Sequence, residues 1–345
     1  MELLALNKEF QPLVYVPYIN LQWEREYYTF GQFSVQILAA DYDPAMTYLY
    51  TPDRPETGII QKIELEETIK GRFVQLSGFF LEKILDDKIV YPTFYASGMM
   101  ETTVRSMVQA YKGDIPLLSL GAAAGLGNSV IWQETGGHLG TVGYEKLQTQ
   151  ELSQRCLYDY QQNKITYAVW QGLDRTQAQT VNNFVVFSDG FRNLSKVQAS
   201  LDSSNYKNYA VVAGEGEGTA RKVAYADLSS GGYRQMLFVD AKNERYDAAE
   251  QTEEEYLAGL RQKGLEKLLD YQVVQNIEVD VSQGTFQYLR DFDLGDRVDV
   301  VISDIGVSLE ARIVSVHEVI KRGQHTVSIE LGNKKLTAYK KARIA

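Results

Sequence analysis

The stretch most suggestive of chemistry in this chain is Ser119-Leu-Gly121-Ala-Ala-Ala-Gly125-Leu-Gly127-Asn128-Ser129, which has the glycine density of a phosphate-cradling loop. A nucleotide-binding loop of that kind needs four residues between its outer glycines, then a lysine whose ammonium reaches the terminal phosphates. Here five residues separate Gly121 from Gly127, and Asn128 stands where the lysine belongs, so the stretch reads as a connector. Gly214-Glu-Gly216-Glu-Gly218 lacks dinucleotide spacing and has no helix behind it, and its two carboxylates repel a pyrophosphate. It reads as the turn of a hairpin.

Two acidic clusters, Asp41-Tyr-Asp43 and Asp291-Phe-Asp293-Leu-Gly295-Asp296, have the composition of a cation site or a glycosidase carboxylate pair. The second fails as a calcium loop, because Gly295 falls on a ligand position and Ile302 where a bidentate glutamate is required. Both read as charged turns, although a carboxylate pair assembled only by folding is open at this level. His317 and His325 lie on successive expected strands, yet two imidazoles without a cysteine or a third histidine make a poor metal site. The single cysteine, Cys156, excludes an internal disulfide. Neither G-x-S-x-G nor H-E-x-x-H occurs. No residue is therefore assigned a catalytic, cofactor-binding or metal-binding role.

The elements that carry these clusters are mostly strands. Ile19, Leu21 and Trp23 alternate with polar neighbours, as do Phe33, Val35 and Ile37 after a turn at Thr29–Gln32. A second hairpin places Ile63 and Leu65, then Val74, Leu76 and Phe80, on an apolar row, turning at Lys70-Gly71. Met100, Val104, Met107, Val108 and Tyr111 then recur at helical spacing, with Ser97 placed to cap. A less regular helix is expected over 145–162, with Leu152, Cys156 and Tyr160 on one face. Strands return around 165–169, 184–187, 209–212, 223–225 and 236–239. A long helix follows: Thr252 and Glu255 form a capping box, and Leu257, Leu260, Leu265 and Leu268 give a buried stripe. Gly259 and Gly264 each weaken that helix by about 1 kcal/mol. Near the C-terminus, Leu309, Ala311 and Ile313 keep one phase but Val314 and Val316 slip to the other, which predicts a β-bulge.

Composition narrows the function classes. The 345 residues hold 45 acids against 35 Lys and Arg, a net charge of −10 that disfavours a nucleic-acid grip. No apolar run reaches the ~18 residues of a membrane helix. Glu2 stands where a leader peptide needs a base. A soluble chain without membrane insertion is expected. Tyrosine, at 23 against 13 Phe, fits interface-rich surfaces as well as strands.

Several motifs, taken in order, resemble one known family. Trp23-Glu24-Arg25-Glu26-Tyr27 with Gly31-Gln32-Phe33 is similar to the opening hairpin of the tail-tip and baseplate hub proteins of long-tailed phages. Gly78-Phe79-Phe80-Leu81 through Leu85 and Ile89 resembles their next segment, and Ser204–Val211 a middle motif. The stretch Tyr288-Leu-Arg-Asp291-Phe-Asp293-Leu294-Gly295-Asp296-Arg297-Val298, with Arg312-Ile313 and Ile329-Glu330-Leu331-Gly332 behind it, resembles the family's C-terminal barrel. The resemblance runs from about Leu13 to Gly332.

It implies a β-rich α+β fold with two small antiparallel β-barrels, intervening α/β segments and one long helix. The expected units are an N-terminal barrel over 1–96, a helical and glycine-rich connector over 97–163, and a middle α+β region over 164–275. A C-terminal barrel over 276–333 and a basic tail over 334–345 complete the chain. The resemblance further implies a structural virion protein, not an enzyme: a homotrimeric hub without an appended lysin, assembled in the bacterial host cytoplasm. Its expected partners are the tail tube, the distal tail protein ring, the tape measure protein and a spike or receptor-binding protein. DNA passes through such a ring without specific binding, and the acidic balance predicts carboxylates facing the channel. A tail-associated cell-wall or polysaccharide hydrolase, and a receptor- or sugar-binding tail module, are the alternatives.

Overall fold

The structure is a computed structural model, and it describes residues 1–191, 193–281 and 285–332. The expected basic tail lies outside the described residues. The chain opens with strands β1 (Leu4–Leu6) and β2 (Pro12–Tyr15). Then come β3 (Tyr18–Glu26), β4 (Gln32–Leu38), β5 (Tyr48–Tyr50), β6 (Gly58–Thr68) and β7 (Gly71–Phe80). Period-two alternation does what it predicts in β3 and β4: Leu21, Trp23, Phe33, Val35 and Ile37 enter one core with Val74, Leu76 and Phe80. Ile19 drops out of phase, because the β3–β4 register shifts between Tyr18 and Asn20. Ile63 and Leu65 depart from expectation. They lie opposite the buried Leu76 and Val74 yet are 49% and 59% exposed, since β6 beyond Ile60 has β7 on one side and no described strand on the other.

Strand β8 (Phe94–Met99) leads into helix α1 (Met100–Tyr111), whose Met100, Val104, Met107 and Val108 are wholly buried as their spacing requires. Ser97 lies inside β8 and does not cap α1. The first-turn amides of Met100 and Glu101 instead donate to the carbonyls of Asn128 and Leu126, at 3.0 and 3.3 Å. Next come β9 (Leu118–Leu120), β10 (Ser129–Glu134), α2 (Leu139–Gln148), β11 (Ser153–Asp159) and β12 (Lys164–Trp170). The helix expected over 145–162 is thus wrong beyond Gln148. Residues 152, 156 and 160 share a face in a strand as well as in a helix, so four-residue spacing alone does not choose. Glu151, at φ 56°, ends the helical path.

Strands β13 (Val186–Ser188) and β14 (Leu194–Asp202) precede a three-stranded sheet of β15 (Tyr209–Ala213), β16 (Val223–Asp227) and β17 (Met236–Asp240). Helix α3 (Glu253–Leu269) covers this sheet and begins with the expected Thr252–Glu255 capping box. Leu260 and Leu268 are buried, with Leu257 and Leu265 packed at the margin. Gly264 has a reason: a Cβ there meets Val212 Cγ2 at 2.8 Å and Ala226 Cβ at 2.9 Å, so its absence lets α3 lie on the sheet. The chain finishes with β18 (Val274–Val281), β19 (Arg297–Ile302), β20 (Val307–Lys321) and β21 (Gln324–Leu331). The bulge expected in β20 is present. Its register against β21 shifts between Ile313 and Ser315, and Ile313, Val314 and Val316 are all buried.

A β-rich α+β architecture results, organised by one large sheet. Its main path is β14-β18-β21-β20-β3-β4-β7-β6-β5-β1-β2, with β19 paired to the first part of β20 and β13 paired to β19. The path is open: among the described residues, no pairing closes either half on itself. Two features were absent from the sequence reading. Strands β3 and β20 pair antiparallel over seven register positions, Ser315 opposite Glu26 through Lys321 opposite Asn20, so the two ends of the chain share one sheet. The C-terminal half also draws β13 and β14 from residues 186–202, so the expected unit 276–333 is incomplete without a segment far upstream. Each half has its own apolar core, one around Trp23 and Phe80, the other around Phe187, Phe292 and Ile329.

Candidate assembly surface

The joint between β3 and β20 is polar on its inner side. Arg25 occupies the inward phase of β3 after Leu21 and Trp23, and Glu318 that of β20 after Val316; all five are nearly or fully buried. Arg25 donates to Glu56 Oε1 at 2.7 Å and to Tyr288 Oη at 2.7 Å, and it pairs with Asp293. Arg54 forks onto Glu318, its Nε 2.6 Å from Oε1, while His325 Nε2 lies 2.9 Å from Oε2. Burial alone raises a carboxyl pKa, but Arg54 and His325 hold Glu318 down at about 2. Glu82, in the short 3-10 helix Leu81–Asp87 nearby, goes the other way. Burial, with a contribution from Glu56, pushes it up to about 8. An ionic seam thus separates the two apolar cores.

The outer side of the same sheet is acidic. Strand register aligns Glu278, Glu330, Ser315 and Glu26 in one cross-strand row, and Asp280, Ser328, His317, Glu24 and Gln32 in the next. With α2 and the C-terminal end of α3 as a wall, this face forms a cleft of about 1460 Å³. Eight carboxylates line it against three lysines, so the local field is negative. Glu145 in the wall is raised above its ordinary range, first by burial and then by the Glu266 carboxylate.

The clusters singled out in the sequence are spoken for structurally. Glu101 accepts the amides of Ala124 and Leu126 at 2.9 and 2.8 Å, so amides that a phosphate would need already hold a carboxylate. Gly214–Gly218 lies in the connection between antiparallel β15 and β16, as expected, and Glu215 takes the Tyr246 amide. Asp43 closes a turn onto Ala45. Asp291 pairs with Arg290, Asp293 with Arg25, and Asp296 with Arg175 Nε at 2.6 Å and the Leu173 amide at 2.7 Å. The Asp291–Asp296 turn is therefore a fastening. At its centre Gly295 sits at φ 84° against the Tyr27 ring. His317 and His325 are three register positions apart on β20 and β21, and Cys156 is buried. No group of three or more metal-ligating side chains occurs among the described residues. No helix among them is long and apolar enough to cross a membrane. The seam was missed from sequence, although a charge on the inward phase of two apolar strands, Arg25 and Glu318, was its readable sign.

Residues 7–333 match the profile of the family described as Siphovirus ReqiPepy6 Gp37-like protein. No curated protein matches in sequence. Three solved structures share the fold across nearly their whole length. The tail protein from Neisseria meningitidis has a TM-score of 0.58 at 15% identity, covering 96% of this chain and 95% of that one. The 43 kDa tail protein of prophage MuSo2 from Shewanella oneidensis has a TM-score of 0.60 at 12% identity, covering 96% and 98%. Prophage tail protein gp18 from Listeria monocytogenes has a TM-score of 0.60 at 12% identity, covering 100% and 98%.

Proposed function

Since the chain belongs to the Siphovirus ReqiPepy6 Gp37-like family and is a phage tail structural protein, we propose that it is the hub of the tail tip. Three copies form a ring that joins the tail tube and distal tail ring to the spike or receptor-binding apparatus, and DNA passes through the middle. The observation that carries this reading is the side-by-side pairing of two β modules in one sheet, β6-β7-β4-β3 against β20-β21-β18-β14. A chain that presents two similar units to a ring lets three copies imitate six, and a head-to-tail ring closes without a free edge. The acidic face supports the channel assignment. Carboxylates repel the phosphate backbone, whereas a lysine-rich lining holds DNA through counterion release. Assembly in the host cytoplasm and a non-catalytic role belong to the same reading.

Light scattering on the purified chain is the direct test. A mass near three times 39.0 kDa is expected, together with no retention of duplex DNA at low salt. A monomer that stays monomeric when mixed with tail-tube or distal-tail rings, or tight DNA binding by the trimer, overturns it.

A further inference from the structure

The two β modules are the same construction, and only one of their two equivalent edges is covered. Numbered along the chain, β3, β4, β6 and β7 are arranged β3-β4-β7-β6, and β14, β18, β20 and β21 are arranged β14-β18-β21-β20. The irregularities coincide as well. Hairpin β6–β7 shifts register between Ile60 and Lys62 and turns from Thr68 to Gly71; hairpin β20–β21 shifts between Ile313 and Ser315 and turns from Lys321 to Gln324. The pair β3–β4 shifts between Tyr18 and Asn20, and β14–β18 between Leu194 and Lys196. By strand order and register the two halves therefore correspond position by position, Ser315 to Lys62, Glu318 to Leu65, Trp23 to Ala199 and Glu26 to Asp202.

Within the chain, the second half of β20 is covered by β3. Its counterpart, the second half of β6, and the counterpart of β3, which is β14, each lack a second strand among the described residues. Burial follows that difference. Val316 and Glu318 are 0% exposed, whereas Ile63 and Leu65 in the equivalent places are 49% and 59% exposed; Leu21 is 0% exposed, whereas its equivalent Val197 is 36% exposed. An edge strand of this length with half-exposed apolar residues is a template for pairing.

We infer that the free edge of β6 pairs antiparallel with β14 of a second copy of this chain, in the register that β20 and β3 already use. Transferring Ser315–Glu26 and Glu318–Trp23 onto the open edges sets Lys62 opposite Asp202 and Leu65 opposite Ala199 of the neighbour. The first pair is complementary in charge and the second is apolar. The contact is heterologous, so it propagates head to tail and closes only as a ring. This inference rests on the hub reading and adds to it the strands and the register of the joint.

The test uses the full chain with Leu65→Cys and Ala199→Cys together, oxidised and run under denaturing conditions. Cross-strand partners stand within the Cα separation that a disulfide spans. A ladder reaching three linked chains is expected, absent from each single variant, which keeps the native Cys156. Lys62→Asp weakens the trimer, and adding Asp202→Lys restores it. A protein that scatters light as a trimer but yields no ladder and ignores both charge changes overturns the joint and leaves the ring standing. A protein that is monomeric with and without tail rings, and yields no ladder, overturns both.

Discussion

Arg54, on the loop between β5 and β6, and Glu318, in the second half of β20, form a two-pronged ion pair inside the protein, and it fastens the N-terminal half of the chain to the C-terminal half. Glu318 is fully buried, so its charge depends on that arginine and on His325. Replacing Arg54 by Met strands a carboxylate in the interior and is expected to cost about 3–5 kcal/mol, read by denaturant unfolding. The double variant R54M/E318L removes both charges and is expected to recover most of the loss. With Glu318 held at about 2 against an ordinary 4.5, its stabilisation is present above pH 4.5 and is lost as pH falls toward 2.

Glu82 gives the opposite dependence. Its folded-state pKa near 8 lies above the 4.5 of the unfolded chain, so the folded form retains a proton that the unfolded form releases. Stability is therefore complete below pH 4.5 and declines as pH rises through 8, by up to about 5 kcal/mol for this one group. Glu82→Gln keeps the shape and removes the titration. Thermal melts between pH 5 and 9 are expected to flatten in that variant, and an unchanged slope rules this origin out.

The two glycines of α3 separate cleanly. A Cβ at Gly259 comes no closer than 3.8 Å to its neighbour, the Trp132 Cα, so Gly259→Ala is expected to stabilise by about 0.5–1 kcal/mol. Gly264→Ala carries the same helical gain but forces its methyl against Val212 and Ala226, and the balance is expected to destabilise by about 1–2 kcal/mol. Opposite signs for one substitution on one helix are the measurable outcome.

Reversing charge on the outer face tests the proposed role of that face in DNA passage. The triple change E26K/E278K/E330K places three cations along one cross-strand row. Duplex DNA is expected to bind the variant and not the parent. For the variant, the slope of log affinity against log salt is expected to be about −0.9 for each phosphate engaged.

Strands β3, β4 and β7 were legible because one face of each is apolar and the other polar, which is all that a period of two requires. Helices α1 and α3 were legible from spacing, and the β20 bulge from a single break in phase. The segment 152–160 was not, because a four-residue recurrence satisfies helix and strand alike. Ser97 was misread as a cap because the acceptors that meet α1 come from Leu126 and Asn128, a contact no local pattern announces. The pairing of β3 with β20, and of β14 with β18, joins segments far apart in sequence. Its only local trace is a charge on the buried phase of β3 and β20.

Because β3 and β20 belong to one polypeptide, their union is intramolecular and costs no encounter between molecules. In an annulus assembled from such chains, half of the seams are closed when each chain finishes folding, and dilution acts only on the other half. The edges of β6 and β14 left open among the described residues are then where concentration, competitors or a neighbouring ring decide whether the circle completes.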